Sequence, residues 1–277
     1  MNKLKLKKQL ESFFIEDIGE GDITTDTIFP SSKKGEIVFI AKSNGIFCGR
    51  DVIETGFQLL DPTMEIAFFK EDGETVEIGE KIATVAGSVV NLLKGERVVL
   101  NLIQKMSGIA TITNQAVKTL NSVYTKICDT RKTTPGLRML EKYAVTKGGG
   151  YNHRYGLYDA VMIKDNHISF AGSITDAVKT VKKSIGHTVK VEVETETKEQ
   201  VLEALEAGAD IIMFDNRKPD EIKEWIQLVP ETVITEASGG ITLDNLASYR
   251  DAGVDFISLG FLTHSAVALD ISVKVNF

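Results

Sequence analysis

Cationic and imidazole side chains crowd the stretch from Asp129 to His167, DTRKTTPGLRMLEKYAVTKGGGYNHRYGLYDAVMIKDNH. They include Arg131, Lys132, Arg138, Lys147, His153, Arg154 and Lys164. Residues 126–167 hold eight Lys or Arg against four Asp or Glu, although the whole chain has a formal charge of −7. A local reversal of charge predicts a site for an anion. Arginine suits a planar carboxylate, because its fork can bond both oxygens at once.

The size and composition of the chain narrow the class of protein. Its 277 residues suit one large α/β domain with a smaller one, and 43% hydrophobic with 26% charged residues is typical of a soluble enzyme. The acidic balance argues against a nucleic-acid or membrane-surface role. No apolar run approaches the ~20 residues that span a bilayer. Cys48 and Cys128 form no metal or redox motif, which indicates reduced structural thiols and a cytoplasmic location.

The elements that must position these residues follow from the apolar pattern. After a short helix and a loop in residues 1–30, alternating segments to about residue 105 predict an antiparallel β portion. A long helix is predicted from about Lys94. Beyond it strands alternate with helices, which predicts a parallel sheet. The predicted strands cover residues 126–132, 160–167, 189–195, 210–216, 233–240 and 255–260.

Each predicted strand begins apolar and ends in residues that can do chemistry. These are Arg131-Lys132, Lys164, Glu194, Asp215, Ser238-Gly239-Gly240 and Gly260. The carboxyl ends of parallel strands form one rim, where active sites lie. A barrel gathers such residues into a ring, whereas a doubly wound sheet spreads them along a line. The pattern therefore favours a (β/α) barrel whose rim has a basic half and an acidic, glycine-bearing half.

Structural roles compete with the functional ones. Arg131-Lys132 can be a surface pair, and His153-Arg154, after three glycines, can lie on a solvated loop. Lys164 is either a charge partner or, with a depressed pKa, a Schiff-base nucleophile. Glu194 and Asp215 can bind Mg²⁺ or ribose hydroxyls, or only pair with the basic cluster. Glycine-rich strand ends such as Ser238-Gly239-Gly240 can offer backbone N–H groups to phosphate.

Nine motifs in order resemble one known family over essentially the whole length. They are GDITT (21–25), GERVVLNLIQKMSGIAT (95–111), DTRKTTPGLR (129–138), KGGGYNHRYGL (147–157), IKDNH (163–167), VEVE (191–194), IMFDN (212–216), EASGGI (236–241) and ISLG (257–260). The family is quinolinate phosphoribosyltransferase, also called carboxylating nicotinate-nucleotide pyrophosphorylase. Two departures, Phe214 where members often have Leu and Gly240 where they often have Asn, concern the phosphosugar loop and remove no charged ligand.

The resemblance implies a fold and a reaction. An N-terminal α/β sandwich domain would occupy residues 1–105, with residues 266–277 packing on it, and an open seven-stranded α/β barrel would occupy residues 106–265. Quinolinate and phosphoribosyl pyrophosphate would give nicotinate mononucleotide, pyrophosphate and CO₂ with Mg²⁺, in de novo NAD biosynthesis. Neither nucleic acid nor a membrane would be a partner.

The resemblance also implies roles for individual residues. Quinolinate would meet Arg131, His153, Arg154 and Lys164, together with Arg97 from a partner subunit, so that a homodimer is the smallest active unit and a hexamer an alternative. The phosphoribosyl group and its metal would meet Lys132, Glu194, Asp215, Ser238, Gly239 and Gly260. Further substrate contacts would come from Thr130, Gly240, Leu259 and Phe261. The catalytic set would be Lys132, Lys164, Glu194 and Asp215, with Mg²⁺ bound directly or indirectly by Glu194 and Asp215.

Three other functions compete with this one. A ModD-like paralogue of the same fold would keep the phosphoribosyl half and act on another acceptor. A Schiff-base aldolase would use Lys164 as its nucleophile. A non-catalytic phosphosugar sensor would need no dense ring of mixed charge. Arg97, Arg131, His153, Arg154 and Lys164 together favour quinolinate as the acceptor.

Overall fold

The computed structural model describes residues 1–276. The α-helices are α1 (Lys3–Ile18), α2 (Ile23–Ile28), α3 (Arg50–Leu60), α4 (Val89–Leu120), α5 (Arg138–Lys147), α6 (Asp165–Ala171), α7 (Ile174–Lys182), α8 (Lys198–Ala207), α9 (Pro219–Trp225), α10 (Leu243–Leu246) and α11 (Phe261–His264). The strands are β1 (Lys34–Ala41), β2 (Gly45–Ile46), β3 (Glu65–Phe68), β4 (Thr75–Val76), β5 (Lys81–Ser88), β6 (Lys126–Cys128), β7 (Val161–Ile163), β8 (Val191–Thr195), β9 (Ile211–Asp215), β10 (Ile234–Ser238), β11 (Phe256–Ser258) and β12 (Ile271–Asn276). Short 3-10 helices cover Ile226–Leu228 and Ala247–Tyr249.

The chain divides into two compact units. The first comprises Met1–Asn114, Met139–Gly149 and the chain from Ala266 onward; the second comprises Gln115–Arg138 and Gly150–Ser265. The boundary predicted between residues 105 and 106 lies inside α4, which continues unbroken to Leu120. The reason is the spacing of apolar residues, which stays helical across that point and buries Ile103, Met106 and Ile109 on one face.

An antiparallel sheet in the order β12-β1-β5-β3 forms the centre of the first unit. The end of the chain joins it, because β12 pairs along β1 from Glu36 opposite Asn276 to Ala41 opposite Ile271. The rings of Phe39 on β1 and Phe57 on α3 meet edge to face, with centroids 6.1 Å apart. The loop predicted before residue 30 contains α2, because the Asp22 carboxylate accepts a hydrogen bond from the N–H of Thr25 and caps it.

A parallel sheet in the order β6-β11-β10-β9-β8-β7 forms the second unit. The six strands are those predicted from the residues, each shortened to its apolar part. The strands follow one another around the sheet, and the first two along the chain, β6 and β7, stand at its edges. This is the order of an open barrel, and the predicted fold class is confirmed.

The strand count differs from the seven that the resemblance implies. Within residues 1–276 the parallel sheet has six paired strands, and Tyr151 adds a single parallel bridge beside Cys128. Tyr151 pairs with β6 through its N–H to the Ile127 carbonyl at 2.8 Å. The next two residues bond to the side chain of Asp129, through the Asn152 amide and the His153 N–H. Hence pairing stops after one residue.

Helices cover the outer face of the parallel strands. Phe214, fully buried on β9, lies against Trp225 of α9 with ring centroids 6.4 Å apart. Helix α8 begins as predicted, with the Thr197 side chain accepting from the N–H of Gln200, and ends at Gly208 in a left-handed conformation (φ 86°). Among residues 1–276 no helix combines the length and the apolar character needed to cross a membrane.

Candidate active site

A cavity of about 530 Å³ opens at the carboxyl ends of the parallel strands in the second unit. This volume is typical of pockets that hold small-molecule substrates. Its lining is mostly charged or polar and consists of Asp129, Thr130, Arg131, Lys132, His153, Arg154, Met162, Lys164, Glu194, Met213, Asp215, Asn216, Glu236, Ser238, Gly239, Gly240 and Ser258. The cavity therefore lies where parallel α/β folds place their active sites.

The pleat of the strands decides which side chains reach the cavity. Met213 and Asp215 on β9 line it, as do Glu236 and Ser238 on β10. Residues two apart on a strand share a face, and the residue between them points the other way. Phe214 accordingly faces the helices, so its departure from the family pattern leaves the cavity lining unchanged.

Two guanidinium groups on the basic side of the cavity are short of anionic partners. The Nε of Arg131 is buried and has no hydrogen-bond partner among the described residues. An unmade bond at a buried donor costs roughly 1–3 kcal/mol. Burial, and then repulsion by Arg131, lower the pKa of Arg154 from its ordinary value. The Arg154 guanidinium donates to the Ala160 carbonyl and to the Met162 sulfur, each at 3.4 Å, and neither partner carries a negative charge. A bound anion would relieve both groups.

The loop that carries Arg154 is fixed by a buried carboxylate. Asp129 is fully buried and accepts hydrogen bonds from the Asn152 side chain at 2.6 Å and the His153 N–H at 2.9 Å. Arg138 supports the same region, since it donates to the Thr133 hydroxyl and to the Tyr155 carbonyl, both at 2.9 Å. The predicted cation Arg138 is thus outside the cavity lining and serves its loops.

The acidic side of the cavity contains Glu194 and Asp215 at the ends of adjacent strands. Lys164 pairs with Glu194 in a close ion pair. Burial raises the pKa of the Glu194 carboxyl, and Lys164 opposes that shift. Burial likewise raises the pKa of Asp215. Both groups therefore gain from additional positive charge nearby, and their oxygens are ligands that Mg²⁺ accepts.

A cluster of His153, Glu192 and Glu236 lies deeper in the barrel, and we call it the floor cluster. The His153 Nε2 is 3.1 Å from the nearer carboxylate oxygen of Glu192 and 3.6 Å from that of Glu236. Both carboxyl groups are almost wholly buried. Burial, followed by repulsion from Glu192, raises the pKa of the Glu236 carboxyl to about 7.

A glycine turn closes the rim after β10. Gly239 and Gly240 both have positive φ, 83° and 65°. Asn216 follows β9 and donates its N–H to the Ser238 carbonyl at 2.8 Å, which joins the two strand ends. A Cβ on Gly239 would collide with Asn216, whereas a Cβ on Gly240 would meet open space. The turn therefore requires glycine at 239, whereas position 240 has space for a residue that tolerates a left-handed backbone, such as Asn.

The structure brings most of the predicted site residues into one cavity. Those lining it are Thr130, Arg131, Lys132, His153, Arg154, Lys164, Glu194, Asp215, Ser238, Gly239 and Gly240. Leu259, Gly260 and Phe261 are not in the lining, although a Cβ on Gly260 would lie 3.0 Å from the Lys132 side chain. Arg97 is exposed on α4 and does not line the cavity either.

Sequence reasoning missed several residues of the site. Asp129, Met162, Met213, Asn216, Glu236 and Ser258 line the cavity, and Glu192 supports it from below. A period-two signal was available, because Glu192 precedes Glu194 and Glu236 precedes Ser238 by two residues. Asp129 offered no such signal, since its role depends on a loop twenty residues later in the chain.

The fold and the cavity are those of an α/β-barrel enzyme whose rim carries both basic and acidic side chains. Residues 22–107 match the family model described as quinolinate phosphoribosyl transferase, N-terminal domain, and residues 109–274 match that of the C-terminal domain. The chain belongs to the quinolinate phosphoribosyltransferase family.

Individual proteins resemble the chain over its full length. A Bacillus subtilis (strain 168) protein named probable nicotinate-nucleotide pyrophosphorylase [carboxylating] is 56% identical, covering 100% of this chain and 95% of its own. A Nicotiana glauca protein named quinolinate phosphoribosyltransferase [decarboxylating] 2, mitochondrial, is 40% identical over 98% and 82% of the two chains. The crystal structure of NadC from Streptococcus pyogenes superposes with a TM-score of 0.96 at 38% identity, covering 100% and 98%.

Proposed function

We propose that the chain catalyses phosphoribosyl transfer from phosphoribosyl pyrophosphate to quinolinate, with decarboxylation to nicotinate mononucleotide, in NAD biosynthesis. The observation that carries this proposal is the cavity itself, whose lining combines two guanidinium groups, one of them with a buried and unpaired Nε, with two carboxylates and a glycine turn. The names of the family and of its members supply the substrate pair.

The basic side suits a planar dicarboxylate. Arg131 and Arg154 can each present a fork of N–H groups to a carboxylate. Each charge-assisted hydrogen bond contributes roughly 1.5–3 kcal/mol, so a few of them offset the desolvation of two carboxylates. Lys164 stands between the two sides, because it lines the cavity and pairs with Glu194.

The acidic side suits the sugar. The bond between ribose and pyrophosphate breaks through a sugar that gains positive charge, and Glu194 and Asp215 are placed to stabilise that charge. Lys132 and the backbone N–H groups of the turn at Gly239 and Gly240 suit the phosphate groups. Mg²⁺ would be held by Glu194 and Asp215, directly or through water, and when bound it neutralises the leaving pyrophosphate.

The second half of the reaction needs little from the protein. Once ribose is attached, the ring nitrogen is cationic and stabilises the electron pair that the departing CO₂ leaves on the neighbouring ring carbon, which then takes up a proton from solvent. Positioning then matters more than a nucleophile. The Lys164 amine is already engaged by the Glu194 carboxylate, which opposes the Schiff-base alternative.

A homodimer with shared active sites completes the proposal, with a hexamer as the larger form. Arg97 is exposed on α4 of the isolated chain, so a second copy can receive it. A cytoplasmic location agrees with the two buried free cysteines, Cys48 and Cys128. Mixing Arg97→Ala subunits with Arg154→Ala subunits should restore part of the activity, and heterodimers that form without restoring any would refute shared sites.

One assay tests the reaction. The purified protein is incubated with phosphoribosyl pyrophosphate, Mg²⁺ and quinolinate, and CO₂ and mononucleotide are followed together. Nicotinate, which lacks the 2-carboxylate, serves as the matched acceptor. Turnover of quinolinate alone with equal yields of both products is expected. Turnover of a different acid would favour the paralogue, and borohydride trapping of a carbonyl substrate on Lys164 would favour the aldolase.

A further inference from the structure

Both ring nitrogens of His153 are already engaged by the protein. The backbone N–H of Arg154 donates to Nδ1 at 2.8 Å. A backbone amide only donates, so Nδ1 carries no proton and the ring proton is on Nε2. This Nε2 faces the carboxylate of Glu192, with its oxygens at 3.1 and 3.4 Å. The geometry therefore assigns the neutral Nε2–H tautomer to His153.

These bonds link the barrel interior to the loop that carries Arg154. Glu192 lies on β8 and is 1% exposed, so its position is set by the sheet. His153 is on the loop, and its own N–H is held by Asp129 at 2.9 Å. The imidazole is thus held at both ring nitrogens and the backbone of His153 at its N–H, and Nδ1 in turn holds the backbone N–H of Arg154. The Arg154 guanidinium lines the cavity beyond this fixed backbone.

We propose that Glu192 is a positioning residue for acceptor binding, acting through the His153 ring to set the Arg154 backbone and aim its guanidinium at the acceptor carboxylate. This inference rests on the proposed function for the identity of the acceptor. It gives His153 a supporting role where a direct hydrogen bond to substrate is the simpler expectation. It also explains why a carboxylate that does not line the cavity is buried beneath it.

The other carboxylate of the floor cluster serves as the internal comparison. Glu236 is 3.6 Å from Nε2, beyond the range of a hydrogen bond, while Glu192 is within it. Both are buried and both lie on strands. If the arrangement works through a directed bond, Glu192 matters for acceptor binding and Glu236 matters little.

The tautomer is tested without any assay of activity. The chain has four histidines, so the imidazole signals of ¹⁵N-histidine-labelled protein can be resolved, and His153→Gln identifies the one from His153. The expected spectrum at neutral pH shows a neutral ring protonated on Nε2. A ring protonated on Nδ1, or on both nitrogens, would overturn the proposal.

Kinetics test the link to Arg154. Glu192→Leu removes the acceptor but keeps the volume, and the KM for quinolinate should rise about tenfold, the loss of one charge-assisted hydrogen bond. The KM for phosphoribosyl pyrophosphate should stay within about twofold. Glu192→Gln keeps an acceptor for Nε2–H and should recover most of the loss. It also keeps the test open if Glu192→Leu folds poorly. Glu206→Gln, at an exposed site on α8, is the matched control, with an expected change in the KM for quinolinate within about twofold. Glu236→Gln should raise this KM less than Glu192→Leu does.

A double-mutant cycle separates action through His153 from independent action. His153→Ala should raise the KM for quinolinate about tenfold, and adding Glu192→Leu should raise it little further, because the second change breaks a bond already lost. If the double variant raised the KM for quinolinate about a hundredfold, the product of the two single effects, the coupling would be refuted. Equal rises in both KM values would indicate a structural role only. If the wild type turns over no quinolinate, the proposed function fails while the tautomer experiment still decides the geometry of His153.

Discussion

The basic and acidic sides of the cavity are built by different means. Arg131, Lys132 and Arg154 stand on loops beyond the strand ends, whereas Glu192 and Glu236 stand within strands and Glu194 and Asp215 at or near their ends. The alternation of side chains along a strand is enough to orient a residue within it. A loop residue needs other side chains to hold it, and here Asp129, Arg138 and His153 supply those bonds. The carboxylates of the acidic side are therefore fixed by the sheet, and the cations of the basic side by a hydrogen-bond network.

The two sides also differ in what burial does to their charges. The pKa values of Glu194 and Asp215 rise and that of Arg154 falls, in each case with burial as the largest cause. Every shift disfavours the charged form. The charged forms of these groups are therefore less stable in the empty site than in water. An oppositely charged ligand stabilises them, which favours the binding of polyanions on the basic side and of a metal ion on the acidic side.

Removing Arg131 should have the largest effect. Arg131→Ala eliminates the buried, unpaired Nε and its fork, so we expect kcat/KM for quinolinate to fall by about 10²–10³-fold, the loss of two charge-assisted bonds. The KM for phosphoribosyl pyrophosphate should change by less than about threefold. Arg131→Lys, which keeps the charge without the fork, should fall between. If Arg131→Ala impaired the use of quinolinate and of phosphoribosyl pyrophosphate equally, the two sides of the cavity would not bind different substrates.

A change at Glu236 should alter stability with pH. Its folded pKa is raised to about 7 from an ordinary value of 4.5. The folded state thus holds a proton that the unfolded state has released, and this contribution to stability is complete below about pH 4.5 and lost as pH rises through about 7. Glu236→Gln resembles the protonated acid and should remove this loss, on the order of 3 kcal/mol across that window.

Denaturant unfolding at pH 5 and pH 8 measures this effect. The wild type should lose more stability than Glu236→Gln between the two values. Glu206→Gln, an exposed site on α8, controls for the loss of one negative charge. Parallel pH curves for the wild type and Glu236→Gln would contradict this prediction, because they would mean that the pKa of Glu236 is not raised by folding.

Asp129→Asn should weaken the support of the basic side. The two carboxylate oxygens of Asp129 each accept one hydrogen bond, from the Asn152 side chain and from the His153 N–H. An amide has only one accepting oxygen, so one of these two bonds is lost. We expect the free energy of unfolding to fall by about 2 kcal/mol and the KM for quinolinate to rise, while the KM for phosphoribosyl pyrophosphate changes little. A fall in stability with unchanged quinolinate binding would mean that the loop is positioned by other contacts.

The acidic side was the more predictable half from sequence. Strand ends at Glu194 and Asp215 follow from the apolar pattern, and the alternation rule extends to Glu192 and Glu236. The reversal of charge and the glycine run indicated His153 and Arg154 as well, but no pattern indicated that Asp129 or Arg138 holds their loops. The seventh strand that the resemblance implies is reduced to a single bridge at Tyr151, because the Asn152 side chain bonds to Asp129 at the point where pairing would continue. No sequence pattern indicated this bond either.

The smallest effect is expected at the glycine turn on the acidic side. Gly240→Asn restores the residue common in the family at a position with φ 65° and open space around its Cβ. Asn tolerates this left-handed conformation, so stability should change by less than about 0.5 kcal/mol. Gly239→Ala is the contrast, because φ is also positive and Asn216 occupies the space. It should raise the KM for phosphoribosyl pyrophosphate and leave that for quinolinate nearly unchanged, the reverse of the Arg131 result. If both substrates suffer alike, the turn shapes the whole rim and the two sides are not independent.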